Sequence, residues 1–484
     1  MAVALTATIA FGATIANADF VRAPGSPYTT GNDPLSLTTG SFNGDALTDL
    51  AVVNATSSTV SVFDQVAGSG GFSADPGSGF AVGTGPSFAA AADFDGINGQ
   101  DLAVSNFQSG DVSVMLRQPN GTFVREGATT IDTLNRPGAI ASADFNGDGR
   151  ADLAVASWDS AVVEIYLRKG TNDGFTLAGG AATTGGTHPR FIAVGDLDGT
   201  GGPDLAVSNV DSNNLAVLLN AGGGAFTPAA SSPIAVGSSP YTVVVAPLDA
   251  DALSDVAVTN SAGGSVSVLR RTGAGTFTPL TGSPFAVGAS PIGLAAGDFD
   301  LSGRLDLVTA DSADSTLTIL KNDGSTFTRQ PGISTLPDNG PYDVKTGQFN
   351  DGDVRTDIAF TRVTASPTTD NVNVLLNHAA PLAVTGDAGA IAQTTATLNG
   401  TVNPRGEDTD AHFEYGTTPA YGSTAPTTRS AAASPAWRRR PSTTTGSWRA
   451  APAAASPAAT TPSSPWRPTS CRRRAPSAAR RRPT

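Results

Sequence analysis

The sequence predicts an all-β fold built from seven copies of one short-stranded unit, and three observations carry that expectation. Gly and Pro together make up about a fifth of the 484 residues while charged residues are only 15%, a composition that favours short strands joined by turns over long helices. An acidic motif recurs with its last residue at Asp49, Asp101, Asp152, Asp204, Asp255, Asp306 and Asp357, at spacings of 51 or 52 residues. Between the copies, apolar residues alternate with period two, as on strands that bury one face.

Each unit reads in the same order. A Pro (Pro34, Pro86, Pro137, Pro189, Pro240, Pro291, Pro341) precedes a short apolar strand, which leads into the acidic loop. A second strand of the type DLAV follows at once. The third strand carries the alternation, as in Val60 and Val62, Val112 and Val114, or Leu215 and Val217, and after a Gly-rich turn a fourth is marked by Phe72, Phe123, Phe175, Phe226, Phe277 or Phe327. Four short strands in about 50 residues describe one blade of a β-propeller, whose sheets bury their faces on one another. Seven repeats therefore predict seven blades. Blade seven runs out at Asn377 after its third strand, while the segment around Phe20 matches the fourth-strand segment around Phe277. The N-terminal strand is thus expected to complete the last blade and pair both sheet edges at the seam.

The acidic loop is clearest in blade three, DFNGDGRAD. Asp144, Asn146, Asp148 and Asp152 stand at positions one, three, five and nine, with Gly147 and Gly149 allowing a sharp turn. That spacing suits a hard cation, because Ca²⁺ takes six to eight oxygens in irregular geometry, whereas Mg²⁺ demands a stricter octahedron. Blade two keeps Asp93, Asp95 and Asp101 with Ile97 at position five and Asn98 beside it. Blade four keeps Asp196, Asp198, Thr200 and Asp204, and blade six Asp298, Asp300, Ser302 and Asp306. Three loops are poorer. Blade one has Ser41 first, leaving Asn43, Asp45 and Asp49; blade five has Pro247 first, leaving Asp249, Asp251 and Asp255; blade seven has Gln348 first and one extra residue before Asp357. The alternative is a set of Asx turns whose carboxylates accept backbone N–H groups without any ion. Crowded carboxylates repel unless a cation neutralises them, which favours a bound ion in the fuller loops.

The repeats DFNGDGRADLAV (144–155), DFDGINGQDLAV (93–104), DLDGTGGPDLAV (196–207) and DFDLSGRLDLVT (298–309) resemble the FG-GAP or VCBS repeat of the integrin-α-like propellers, over about residues 19–378. The resemblance implies Ca²⁺ in the matching loops, structural and not catalytic.

The remaining features narrow the function. Residues 429–484 hold twelve Arg and no Asp or Glu, so residues 1–428 carry a net charge of −25. A body that acidic argues against nucleic acid and suits cations. The single cysteine, Cys471, leaves no disulfide framework. Residues 2–16 form an uncharged apolar run ahead of Ala16-Asn17-Ala18, which reads as a signal peptide over 1–18, and no other stretch resembles a membrane span. The three histidines, His188, His378 and His412, make no catalytic or metal motif, so no enzyme is expected and His188 reads as a surface residue in a turn. Just after the repeated Pro come Phe88, Arg190, Phe191, Tyr241 and Tyr342, at the strand entry opposite the acidic loops. There they either ring one mouth of the central channel as a site for a glycan or a protein loop, or are ordinary turn residues.

Residues 381–428 resemble the first half of a fibronectin type III-like domain, and 429–484 should be disordered, with a composition like that of GC-rich DNA read out of frame. The sequence thus points to a monomeric, secreted or surface-exposed bacterial adhesion module, stabilised by Ca²⁺ and recognising a glycan or an extracellular protein. An extracellular enzyme acting on a polysaccharide and a structural surface-layer component are the alternatives.

Overall fold

The computed structural model describes residues 19–377, with short interruptions at 98, 128–130, 134–135, 171–173, 201, 252, 335–339, 351–353 and 364–369, and several strands beyond 378. The N-terminal apolar run and Asn98 lie outside the described residues. The chain divides into two units, 1–377 and 378–484.

The first unit is a seven-bladed β-propeller. In blade three the antiparallel order is Pro137–Ala143, Asp152–Ser157, Val162–Arg168, Phe175–Leu177, and the other blades repeat it. Each inner strand packs beside those of its two neighbours, and Pro341–Gly347 returns to Pro34–Gly40, so the ring closes. A fifth strand of two residues, such as Ala182–Thr183, pairs with the start of the third in every blade. The four-strand pattern expected from sequence lacks this piece because two residues leave no periodicity to read.

The second strands are buried along their length, as in Asp101–Asn106 and Asp204–Asn209. A blade has a neighbour on each face, so its middle strands need residues that tolerate burial on both sides. The third strands show the limit of the alternation rule. Ser61, Ser113, Glu164, Ser267, Thr318 and Asn373, which sit between the alternating Val, Leu and Ile residues, are buried too.

Two recurring contacts lock blade to blade. The fourth-strand Phe meets the residue at position two of the preceding blade's acidic loop: Phe123 on Phe42, Phe175 on Phe94, Phe226 on Phe145 and Phe72 on Phe349, with centroids 5.5–6.2 Å apart. The residue ending the third strand donates from its side chain to a carbonyl of the same preceding loop. Arg168 Nε reaches Phe94 O at 2.9 Å, Asn220 Nδ2 reaches Phe145 O at 3.1 Å, Asn322 Nδ2 reaches Leu248 O at 3.0 Å and Asn377 Nδ2 reaches Phe299 O at 2.9 Å.

The seam uses the same contacts. Asp19–Arg22 is the outer strand beside Asn371–His378, and Tyr28–Thr29 supplies the two-residue strand, with Tyr28 opposite Val372. Phe20 packs on Phe299 at 5.9 Å, in the place of the fourth-strand Phe that blade seven lacks.

In the second unit Thr397–Asn403 pairs with Leu382–Thr385 and with Thr444–Arg449, and Thr409–Ala411 pairs with Thr428–Ser430 and Arg472–Arg473. Thr444–Arg449, Arg472–Arg473 and the last two residues of Thr428–Ser430 belong to the stretch expected to be disordered; the rest of that stretch lies outside the described residues. No helix among the described residues is long and apolar enough to cross a membrane.

Candidate metal loops and a candidate binding mouth

Position nine of the acidic loop has a role that needs no metal. Asp152 is fully buried, and its Oδ2 accepts the N–H of Phe145 at 3.0 Å while Oδ1 accepts the N–H of Arg168 at 2.8 Å. The first bond closes the base of the loop and the second ties it to the third strand. All seven blades repeat the pair: Asp49 accepts from Phe42 and Gln65, Asp101 from Phe94 and Arg117, Asp204 from Leu197 and Asn220, Asp255 from Leu248 and Arg271, Asp306 from Phe299 and Asn322, Asp357 from Phe349 and Asn377. The recurrence of this Asp in sequence is therefore explained by backbone stapling, and it persists in blades five and seven where position one is lost. Burial pushes these carboxyls up, Asp101 to about 7 and Asp255 and Asp306 to about 6, even though the two N–H groups pull the other way.

Positions one, three and five carry the metal question. Among the described residues, four trios place carboxylate oxygens within 4.8 Å of one another: Asp93, Asp95 and Asp101; Asp196, Asp198 and Asp204; Asp249, Asp251 and Asp255; Asp298, Asp300 and Asp306. Blade three has Asn146 at position three, so its carboxylates Asp144, Asp148 and Asp152 form no such trio. There Asp144 accepts N–H bonds from Gly149, Gly147 and Asp148, which outweigh its partial burial and hold its carboxyl below the usual range. Asp148 turns to Arg150, with Nη1 at 3.0 Å, and Asn146 closes an Asx turn on the N–H of Asp148 at 2.8 Å. Gly147 and Gly149 have φ of +78° and +83°, the left-handed conformation that a sharp turn requires. Blade five, poorer in sequence, does converge, because Asp251 at position five replaces the acid lost at Pro247.

Basic residues offset some of the trios. Arg271 approaches Asp196 at 3.3 Å, Arg270 approaches Asp249 at 3.7 Å and Lys321 approaches Asp300 at 2.7 Å. The trio of blade two has no Lys or Arg ion pair among the described residues, so its charge is the least compensated. Asp93 and Asp95 accept the N–H groups of Gly96 and Ile97 at 2.6 and 2.9 Å. Asx turns also organise the other loops: Asn43 and Asp45 in blade one, Asp198 with Thr200 in blade four, and Asp300 with Ser302 in blade six. Turn geometry and cation binding are compatible, because each carboxylate oxygen has a second lone pair.

At the opposite end of the inner strands the mouth residues sort into two groups. Phe88 is buried and meets Phe191 edge-on at 5.5 Å; both belong to the core and not to an open rim. Arg190, Tyr241 and Tyr342 are partly exposed and meet one another. Arg190 Nη2 donates to Tyr241 Oη and, at 3.4 Å, to Tyr342 Oη, and the two phenol oxygens lie 2.6 Å apart. These side chains start from blades four, five and seven, so contacts between them cross the channel. Arg190 also lies over the rings of Tyr241 at 4.5 Å, Phe88 at 5.3 Å and Trp158 at 5.9 Å.

Trp158 and His188 carry a feature that the sequence did not reveal. The His188 ring stacks on Trp158 at 4.6 Å, its Nδ1 is 2.6 Å from Asp211, and Trp158 meets Phe107 edge-on at 5.9 Å. Arg136 lies over Phe107 at 5.2 Å and is paired with Asp159. A row of aromatic rings thus runs over blades two to four to Arg190. Its only trace in sequence is that Phe107 and Trp158 occupy equivalent positions in the turn after the second strand. Asn residues that end second strands tie them to the third: Asn54 donates to Thr59 and Ser61, and Asn260 to Ser265 and Ser267.

A family described as the FG-GAP-like repeat matches residues 98–155, 144–207, 196–258 and 248–309, so four windows of the ring carry FG-GAP-like repeats. No curated protein matches the chain. Solved structures of similar shape include BBS1N in complex with ARL6DN, at 14% identity and a TM-score of 0.49 over 74% of this chain and 98% of that one. A putative 6-phosphogluconolactonase from Bacteroides uniformis is 13% identical with a TM-score of 0.47, over 62% of this chain and 86% of that one. A functionally unknown protein from Desulfotomaculum acetoxidans is 16% identical with a TM-score of 0.46, over 64% of this chain and 88% of that one.

Proposed function

We propose that this propeller is a secreted or surface-exposed binding module that engages a glycan or an extracellular protein at the strand-entry mouth, with Ca²⁺ in its acidic loops as a structural ion. The observation that carries the reading is the mouth itself, where Arg190, Tyr241 and Tyr342 converge from three blades beside the row of Trp158, His188 and Phe107. Aromatic faces with a few convergent polar groups suit ligand recognition. The reading is one of binding without catalysis. Asp93, Asp95 and Asp101 are the residues best placed to hold the ion, which would neutralise a crowded carboxylate set and brace the turn between two strands. A fibronectin type III-like spacer after residue 381 fits a module displayed away from a surface.

The test is a glycan and matrix-protein binding screen with the full chain and with Trp158→Ala. Trp158→Ala should weaken binding of the retained ligand about tenfold, a loss of ~1.4 kcal/mol, while the melting temperature stays near that of the parent. A parent chain that retains no ligand in Ca²⁺ removes the proposal.

A further inference from the structure

The cluster at the mouth is richer in hydrogen-bond donors than in acceptors. Arg190 Nη2 is engaged by the two phenols, Nε is sealed from solvent with no partner, and Nη1 makes no hydrogen bond to any described residue. Of the two phenol protons, one is used between Tyr241 and Tyr342, and the other has no acceptor among the described residues. Burial holds the Tyr241 phenol well above its ordinary value, so it stays a donor. Besides the sealed Nε, two donor groups are left over, the cationic Nη1 and one phenol O–H.

The charge is equally unbalanced. The arginines whose side chains are buried each face a carboxylate: Arg117 meets Asp75 at 2.7 Å, Arg168 meets Glu126 at 2.7 Å and Arg271 meets Asp196 at 3.3 Å. Arg190 meets none among the described residues. Asp343, which follows Tyr342 on the inner strand of blade seven, is occupied by the N–H groups of Leu37 and Val344 and by Lys345 at 2.9 Å. Aromatic faces soften the cost of a half-buried guanidinium, but they do not replace a counter-charge.

The geometry points to a carboxylate as the missing partner, supplied by an acidic sugar of the uronic acid type, with Arg190 Nη1 and a phenol O–H of the Tyr241–Tyr342 pair donating to its two oxygens. This rests on the reading of the mouth as a binding site. A carboxylate offers two oxygens to two donors, and a planar guanidinium edge matches it. The aromatic row beside Arg190 suits the C–H faces of neighbouring sugar rings. The net charge of −25 on residues 1–428 repels dense polyanions once they come within a Debye length, about 8 Å at physiological salt. The favoured ligand is therefore a largely neutral glycan with isolated uronates.

The experiment is calorimetry of the full chain in Ca²⁺ with three probes: an oligosaccharide ending in glucuronic acid, its methyl ester, and the same chain ending in glucose. The acid should bind at least tenfold tighter than the ester and the glucose form. Arg190→Gln should abolish that preference, so that the acid binds no tighter than its ester, whereas Trp158→Ala should weaken acid and neutral probes alike and keep the preference. Equal binding of acid and ester by the parent chain overturns the carboxylate while leaving the glycan reading standing, and needs no variant to fold. Binding of none of the three, together with binding of an Asp-rich peptide, overturns the sugar and moves the site to an acidic protein partner.

Discussion

Asp152 shows how one side chain can look like a ligand in sequence and act as a staple in the fold. Both oxygens accept backbone N–H groups, of Phe145 and Arg168, in a site closed to water. Replacing it by Ala leaves two buried donors unpaired, a cost of about 3 kcal/mol. Asp152→Ala should therefore lower the unfolding free energy by about that amount in EDTA as well as in Ca²⁺. A loss seen only in Ca²⁺ would mean that the residue acts through an ion. Trp158 and His188 teach the converse: each is unremarkable in its own turn, and each acquires meaning from the ring it meets, 30 residues away in the chain and 4.6 Å away in space.

At the level of elements, the blade is legible because its signals are local. The Pro, the acidic loop, the DLAV strand and the outer Phe recur at fixed offsets, and each has a cause in the structure: the position-nine Asp as a staple, the outer Phe as the contact to the preceding loop. The ranking of loops was less legible. Blade three carries Asn146 where blades two, four and six carry a second Asp, so it forms no carboxylate trio, while Asp251 completes the trio of blade five. The seam strand Asp19–Arg22 carries Phe20 onto Phe299, and Tyr28 Oη accepts the N–H of Phe72 at 3.0 Å, so this segment joins blades seven, six and one. Deleting residues 19–30 should lower the melting temperature by roughly 10 °C or more, measured by calorimetry; an unchanged transition would show that the ring closes without it.

For the whole molecule, the balance of charge sets the pH response. Asp101, Asp255 and Asp306 have folded-state values of about 7, 6 and 6, raised first by burial above the ordinary value of 3.8. The native state therefore holds protons that the unfolded chain releases, so the stability these groups contribute is fully present below about pH 4 and is lost as pH rises through 6 to 7. In EDTA the melting temperature should fall between pH 5 and pH 8. Ca²⁺ should restore it most at pH 8 and least at pH 5, where protons compete for the same oxygens. Asp95→Ala should remove more of this Ca²⁺ effect than Asp148→Ala, because the blade two trio has no Lys or Arg ion pair among the described residues. A melting temperature in EDTA that does not change with pH would contradict the burial of these carboxyls, and one indifferent to EDTA at pH 8 would contradict the metal.

The sequence by itself determined the all-β class, the seven blades, the closing N-terminal strand and the list of loop oxygens, because each is written within one repeat or in the spacing between repeats. Tertiary structure alone decided which of the expected mouth residues are core, and that Arg190, beside Tyr241 and Tyr342, meets no carboxylate among the described residues. Those residues are 51 and 152 positions apart from Arg190. They meet only because seven twisted sheets close on a common axis, and ring closure is a property of the packed blades that no single repeat contains.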